Sequence, residues 1–323
     1  MHFVFLTPSP DPAGGGSRFN AGLIPALRAA GHTVDLRHDA AALPHGARPM
    51  VDGLLLPDLE PHADWLVAAD AAVVVHHVGA RAGRDAAARD GVHAAEQRLL
   101  PRFRRVIATS DPVAARLAAD YGLDRPPVLL PGQPDLPRSR ASARPPTHIL
   151  AAGVLTRRKG HDRLLQALGR LTDLDWTLTI AGDAGREPVH AHALAALVDE
   201  LALGGRVTLL ADPTDAALES EWARAGLFAL APSWEGHPAG IAEALRRGIP
   251  VVATTVGGIP ATVPSTAGIL CPPDDPITFS KCLRRAVFDH ALRATLAEGA
   301  WQAGLAMPGW PQQARAFLAL IQD

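Results

Sequence analysis

The sequence predicts two doubly wound α/β domains, each built on a parallel sheet. Short β-branched or apolar runs alternate with longer amphipathic stretches along the whole chain. The runs lack polar alternation, which marks strands covered by helices on both faces. The length of 323 residues suits two domains at roughly 150 residues each.

In the first half the strands fall at His2–Leu6, Thr33–Leu36, Val51–Leu56, Ala71–His76, Arg105–Thr109 and Val128–Leu130. Helical stretches lie between them, as at Arg18–Ala30, where Leu23, Leu27 and Ala30 recur at helical spacing. Pro131 to Pro146, rich in proline and arginine, suits neither a strand nor a helix interior and is expected to link the domains. The second half repeats the scheme at His148–Leu155, Trp176–Ala181, Arg206–Ala211, Leu227–Ala231, Val251–Thr254 and Ile269–Cys271. The expected domains are 1–140 and 146–307.

The composition narrows the function. The chain is 48% hydrophobic and 20% charged, enough apolar material for packed cores and against general disorder. A net charge of −2 leaves no overall footprint for nucleic acid. Cys271 and Cys282 are too few for a disulfide framework or a cysteine zinc cluster, which fits a reducing compartment. No apolar run approaches the ~20 residues of a membrane span. The N-terminus has no basic region and its apolar run stops at Thr7-Pro-Ser-Pro, so no signal peptide is expected. These features predict a cytoplasmic protein. Lys159 and Lys281 are the only lysines, so their positions carry information.

Ligands of open α/β sheets gather at the carboxyl ends of the strands. The strongest segment there is Pro232-Ser-Trp-Glu235-Gly236-His237-Pro238-Ala239-Gly240-Ile-Ala-Glu243, which follows one strand and opens a helix to about Arg247. Pro238 suits the first helical turn. The N–H groups of Ala239 and Gly240 would then point out of the helix start, where partial positive charge favours a phosphate. Glu243 shares their helix face and can accept hydrogen bonds from two vicinal hydroxyls, as on a ribose. Glu235 points into the same space. The plain alternative is a helix with two solvated glutamates. A second segment, Gly153-Val-Leu-Thr156-Arg157-Arg158-Lys159-Gly160, clusters cations in a strand-to-helix loop, where they would neutralise a diphosphate. Its plain alternative is a solvated basic turn.

These segments resemble the family 4 retaining glycosyltransferases of the GT-B fold, in which two Rossmann-like domains face one another across a cleft. The family signature is matched by Glu235, seven residues, Glu243, and then Gly248-Ile-Pro-Val-Val-Ala253. The resemblance implies that Glu235 contacts the donor sugar and Glu243 holds the ribose of a sugar nucleotide. It also implies that Gly236, His237, Ala239 and Gly240 line the donor. The family's Gly-Arg-Leu…Lys-Gly motif places Lys159 on the donor phosphates, but Val154 stands where its arginine would be. Arg158, or failing that Arg157, must then supply the second charge. Val207 lies on the strand whose backbone runs beside the base, and the stretch from Pro308 to Ile321 resembles a final helix crossing back to the first domain.

The first domain offers less. Gly14, Gly15 and Gly16 form a loop after the first strand, which the resemblance places against the donor phosphate. A dinucleotide site with Asp35 as ribose acid is the competing reading. It fails, because seven residues intervene between the strand and Gly14 and Phe19 fills the third glycine position. The strand ending Val75-His76-His77 puts one histidine on each side of the sheet. His77, lying further out, is the expected residue near the reacting sugar. His62 is a weaker candidate, and Asp58 and Glu60 could meet the acceptor. Asp274-Asp275 reads as a solvated turn rather than a metal site.

The reading is a metal-independent, cofactor-free retaining hexosyltransferase, with His77, Glu235 and Lys159 as catalytic residues. Its partners would be a nucleotide sugar and an unidentified hydroxyl acceptor, with no nucleic acid. Leu99 to Arg105 could give weak peripheral contact with the inner face of a membrane, or simply be a helix end with solvated arginines. A nucleotide-sugar epimerase and a non-catalytic sugar-nucleotide binder are the alternatives.

Overall fold

In a computed structural model, residues 1–8, 15–38, 46–78, 86–142 and 144–322 are described. The chain divides into two units, Met1–Pro134 with Pro308–Asp323, and Asp135–Met307.

The first unit carries strands β1 (His2–Leu6), β2 (Thr33–Arg37), β3 (Arg48–Asp52), β4 (Ala72–Val75) and β5 (Arg105–Ala108) in one sheet of order β2-β1-β3-β4-β5. All pairs are parallel. Helices α1 (Gly15–Ala29), α2 (Ala63–Ala68), α3 (Ala86–Leu99) and α4 (Asp111–Tyr121) connect them. Strand periodicity explains the two cores: Phe3 and Phe5 pack on one face with Leu23, Leu27 and Phe317, while Val4 and Leu6 pack on the other with Leu66, Leu100 and Leu117. Phe317 comes from the last helix of the chain, Trp310–Gln322, whose edge-on contact with Phe3 ties it to this sheet.

The second unit has β6 (Thr147–Ala152), β7 (Trp176–Gly182), β8 (Val207–Ala211), β9 (Leu227–Leu230), β10 (Val251–Thr254) and β11 (Gly268–Cys271), ordered β11-β10-β9-β6-β7-β8. These pairs too are parallel. Its helices are α5 (His161–Leu168), α6 (Pro188–Glu200), α7 (Asp215–Arg224), α8 (Ala239–Arg246), α9 (Ile259–Thr262), α10 (Pro276–Phe288) and α11 (His290–Ala306); the terminal helix of the first unit is α12. One core joins them, with Trp176, Trp222 and Phe228 among its largest side chains. Two Rossmann-like parallel-sheet units are therefore present.

Three expectations change. The run Val51–Leu56 is not one strand: the Asp52 side chain accepts the Leu54 N–H at 3.0 Å, and this cap turns Gly53–Leu55 into a single 3-10 turn. Val128–Leu130 makes only an isolated bridge with Ala108. Prolines at 126, 127 and 131 bracket it and remove the N–H groups a longer ladder needs. The expected linker is not a free connection at its start. The Ser139 N–H donates to Arg247 O (2.8 Å), its hydroxyl to Ala225 O (2.8 Å), and Arg138 pairs with Glu298 (2.8 Å) over the Trp301 ring. Residues from Asp135 onward thus belong to the second unit, six residues before the boundary at 140 that composition suggests. Among the described residues no helix is long and apolar enough to cross a membrane.

Candidate functional site

The site of the second unit begins where β6 ends. Gly153 sits at φ +153°, and a Cβ there would lie 3.3 Å from Lys159 Cε. After Thr156 the chain makes one 3-10 turn, Arg157–Lys159, closed by Gly160 in the left-handed region at φ +68°. Gly160 is required twice over, because a Cβ would also fall 1.9 Å from the Ala231 carbonyl oxygen at the end of β9. That close approach sets the basic turn against the next strand end, where the Ser233 N–H donates to Arg158 O at 2.9 Å.

The cations meet there. Arg158 Nη1 donates to Trp234 O at 2.6 Å and to Glu235 Oε1 at 2.8 Å, and Lys159 Nζ pairs with the same Oε1. The Glu235 side chain is 3% exposed. One buried carboxylate between two cations leaves a surplus of positive charge at the strand ends. Of the two arginines open to the sequence reading, Arg158 joins this cluster; the Arg157 N–H instead donates to Glu187 at 3.1 Å.

The backbone of Glu235 is held from behind by the loop after β10, which none of the sequence expectations includes. The Gly258 N–H donates to Glu235 O at 2.8 Å, and Gly257 (φ +52°) passes so close that a Cβ would lie 1.8 Å from that oxygen. Thr254 Oγ1 donates to Pro232 O at 2.7 Å, fixing the start of the same segment. The signal for this support was the pair Gly257-Gly258 itself.

At the helix mouth the arrangement differs from the sequence expectation. Pro238 precedes the helix rather than filling its first turn, and the Ala239 N–H folds back onto His237 O at 3.0 Å. The Gly240 and Ile241 N–H groups keep no backbone partner among the described residues, so they are the donors that α8 presents. Gly236 lies under Gly258, where a Cβ would come 2.4 Å from Gly236 O. Val207, half-buried, opens β8. Glu243 belongs to a second ion cluster: its Oε1 meets Arg247 at 3.2 Å, and Arg247 grips Glu219 with two bonds of 2.6 and 2.7 Å.

In the first unit, Gly15 and Gly16 form the first turn of α1 rather than a loop, while Gly14 lies outside the described residues. His77 is half-buried beyond β4. His76 is buried against Phe19 (ring centroids 5.1 Å apart, edge-on), with Nε2 3.6 Å from Asp52 Oδ2. Neither atom has a hydrogen-bond partner, though Asn20 bonds the Asp52 carboxyl. Asp35, the acid of the dinucleotide reading, pairs with His2 at 2.9 Å. Glu60 accepts two bonds of 2.9 Å from Arg98, and Arg102 pairs with Asp64. Among the described residues no three metal-ligating side chains gather.

Burial pushes Asp52 up to about 6 and His76 down to about 4. The raised carboxyl costs stability as pH rises from 3.8 to about 6, and the depressed imidazole costs stability as pH falls from 6.5 to about 4. Each amounts to about 3 kcal/mol, and between about pH 4 and 6 their opposite slopes offset, so the combined cost stays nearly constant there. Asp52→Asn is therefore expected to be more stable than the wild type at pH 8, by up to about 3 kcal/mol, with the gain vanishing near pH 4. Urea unfolding at several pH values checks this; a difference independent of pH contradicts it.

Known proteins resemble the chain in sequence and in fold. Residues 146–289 match the family model "Glycosyl transferases group 1". A D-inositol 3-phosphate glycosyltransferase of Xylanimonas cellulosilytica is 32% identical over 291 residues, covering 80% of this chain and 69% of its own. One from a Nocardioides species is 31% identical over 232 residues, 64% of this chain and 50% of its own. The chain thus spans about half to two thirds of the length of these curated relatives. Among solved structures, a sucrose-phosphate synthase of Thermosynechococcus elongatus superposes with a TM-score of 0.84 at 20% identity, over 99% of this chain and 98% of its own. The Anabaena protein HepE, in complex with UDP and glucose, superposes at 0.80 with 18% identity over the whole of both chains. Two such sheets, with these structural neighbours, define the GT-B class. The chain belongs to the family 4 glycosyltransferases.

Proposed function

We propose that the chain transfers a sugar from a nucleoside-diphosphate donor to a hydroxyl acceptor, with retention of anomeric configuration and without a metal ion. The observation that carries this reading is the convergence of Arg158 and Lys159 on the buried Glu235 at the mouth of α8. The two cations would stabilise the charge that grows on the diphosphate as its bond to the sugar breaks. The Gly240 N–H would add a helix-start donor. Glu235 would anchor both cations and meet the sugar hydroxyls, Glu243 would hold the ribose, and His77 would lie near the reacting sugar. The acceptor hydroxyl would attack from the face the diphosphate leaves, giving its proton to the departing phosphate, as the family resemblance implies. The HepE structures with UDP and UDP-glucose support a nucleotide sugar as the donor class.

The test is proton NMR of the product formed from an α-linked donor, first with a panel of UDP-, GDP-, ADP- and dTDP-sugars and simple alcohols as acceptors. An α-linked product, formed equally in excess EDTA, is expected. A β-linked product contradicts retention, and loss of activity with EDTA contradicts metal independence. Donor converted to another nucleotide sugar without acceptor would mean an epimerase.

A further inference from the structure

Arg247 is 2% exposed, an unusual depth for a guanidinium at a helix end. It lies immediately after α8 and lodges over the Trp222 ring, 5.4 Å from the centroid. Nη1 and Nη2 form a two-pronged bond with Glu219 of α7 at 2.7 and 2.6 Å, and Nη2 also reaches Glu243 Oε1 at 3.2 Å. The Arg247 carbonyl receives the Ser139 N–H at 2.8 Å, so its backbone is fixed as well. Glu243, by contrast, is 22% exposed at its side chain. The half-buried glutamate is therefore attached to a buried, immobilised cation.

We propose that Arg247, held by Glu219 and Trp222, is a positioning residue that orients the Glu243 carboxylate toward a vicinal diol, and so sets a preference for ribonucleotide over 2′-deoxyribonucleotide donors. This rests on the reading of Glu243 as the ribose-binding residue. A free glutamate side chain samples several rotamers, and ordering it on binding costs affinity. A guanidinium one turn away removes that cost by selecting the rotamer beforehand. Each carboxylate oxygen has lone pairs to spare after one bond with arginine. The oriented acceptor rewards a ligand that brings two hydroxyls and penalises one that leaves an oxygen unmatched.

Isothermal calorimetry with UDP and 2′-deoxy-UDP, and with the corresponding ADP and GDP pairs, tests this on the intact chain. The wild type is expected to favour the ribo form of its preferred base by about 10- to 100-fold, the range of a hydrogen bond to a charged group. Arg247→Met, which keeps the stem over Trp222, is expected to reduce that ratio to about threefold or less by weakening the ribo form alone. Arg247→Lys keeps the charge without the fork and is expected to fall between, which provides a second readout should the methionine variant melt early. A folded Arg247→Met or Arg247→Lys protein that keeps the wild-type ratio overturns the proposal, as does an equal loss of affinity for both forms. Wild type that binds none of the six nucleotides defeats the transferase reading and this inference together. A wild-type preference that survives in both variants defeats only the role of Arg247.

Discussion

Glu235→Gln is expected to lower sugar transfer by about two to three orders of magnitude while leaving the affinity for bare nucleoside diphosphate unchanged or improved. The two effects separate because the carboxylate and a phosphate are both acceptors for the same donors, Arg158 Nη1 and Lys159 Nζ. Removing the negative charge releases the cations toward the diphosphate. It also takes away the anchor that fixes them where charge must be stabilised, and the acceptor that would meet the sugar. The fold should survive, since glutamine retains the carbonyl acceptor and Arg158 keeps its bond to Trp234 O. Steady-state kinetics beside nucleotide calorimetry makes the comparison. Transfer within threefold of the wild type would remove Glu235 from the mechanism.

Gly257→Ala should be among the most damaging single methyls in the second unit's site, beside Gly160→Ala. At φ +52° an alanine carries a left-handed penalty of about 1–2 kcal/mol, and its Cβ would stand 1.8 Å from the Glu235 carbonyl oxygen. The backbone must move, and the 2.8 Å bond from the Gly258 N–H to that oxygen is lost with it, at about 1 kcal/mol more. A loss of about 3 kcal/mol or more is expected, equivalent to roughly 6–12 °C in melting temperature for a domain of this size, with transfer activity falling in the folded fraction too. Gly204→Ala is the matched control, since nothing lies within 4 Å of its added Cβ. Thermal unfolding of the two variants decides the matter, and equal melting temperatures would show that the loop gives way freely.

Much of this was legible from local pattern. Strands with both faces buried announce themselves as apolar runs, so β1, β7 and β10 fall within a residue of where the sequence puts them. Arg158, Lys159 and Glu235 were nameable because the loops at strand ends carry unusual residues, among them one of the two lysines. The sequence did not reveal pairings between distant segments. Nothing local indicates that Glu235 would take up both cations, or that Arg247 would leave solvent for Glu219, because a helix end rich in arginine reads as a solvated one. The Asp52–His76 contact joins the ends of β3 and β4, and only the parallel register of those strands brings the two together. Cys271 and Cys282 read as isolated, yet the end of β11 and α10 place them in hydrogen-bonding contact, which lowers the Cys282 thiol below its ordinary value. Where propensity misled, at Val51–Leu56 and Val128–Leu130, a capping aspartate and flanking prolines outweighed β-branched side chains.

The central claim is that the cations gathered on Glu235 hold the diphosphate of a sugar nucleotide. Its most direct test is a thermal-shift titration of the wild type and Lys159→Ala with nucleotide sugars. A bound ligand at a hundred times its Kd stabilises the folded state by about 2.7 kcal/mol. The wild type should therefore melt several degrees higher with its own donor, and Lys159→Ala should show little or no rise at the same concentration. An equal rise in both proteins, or none in the wild type with any donor, would contradict it.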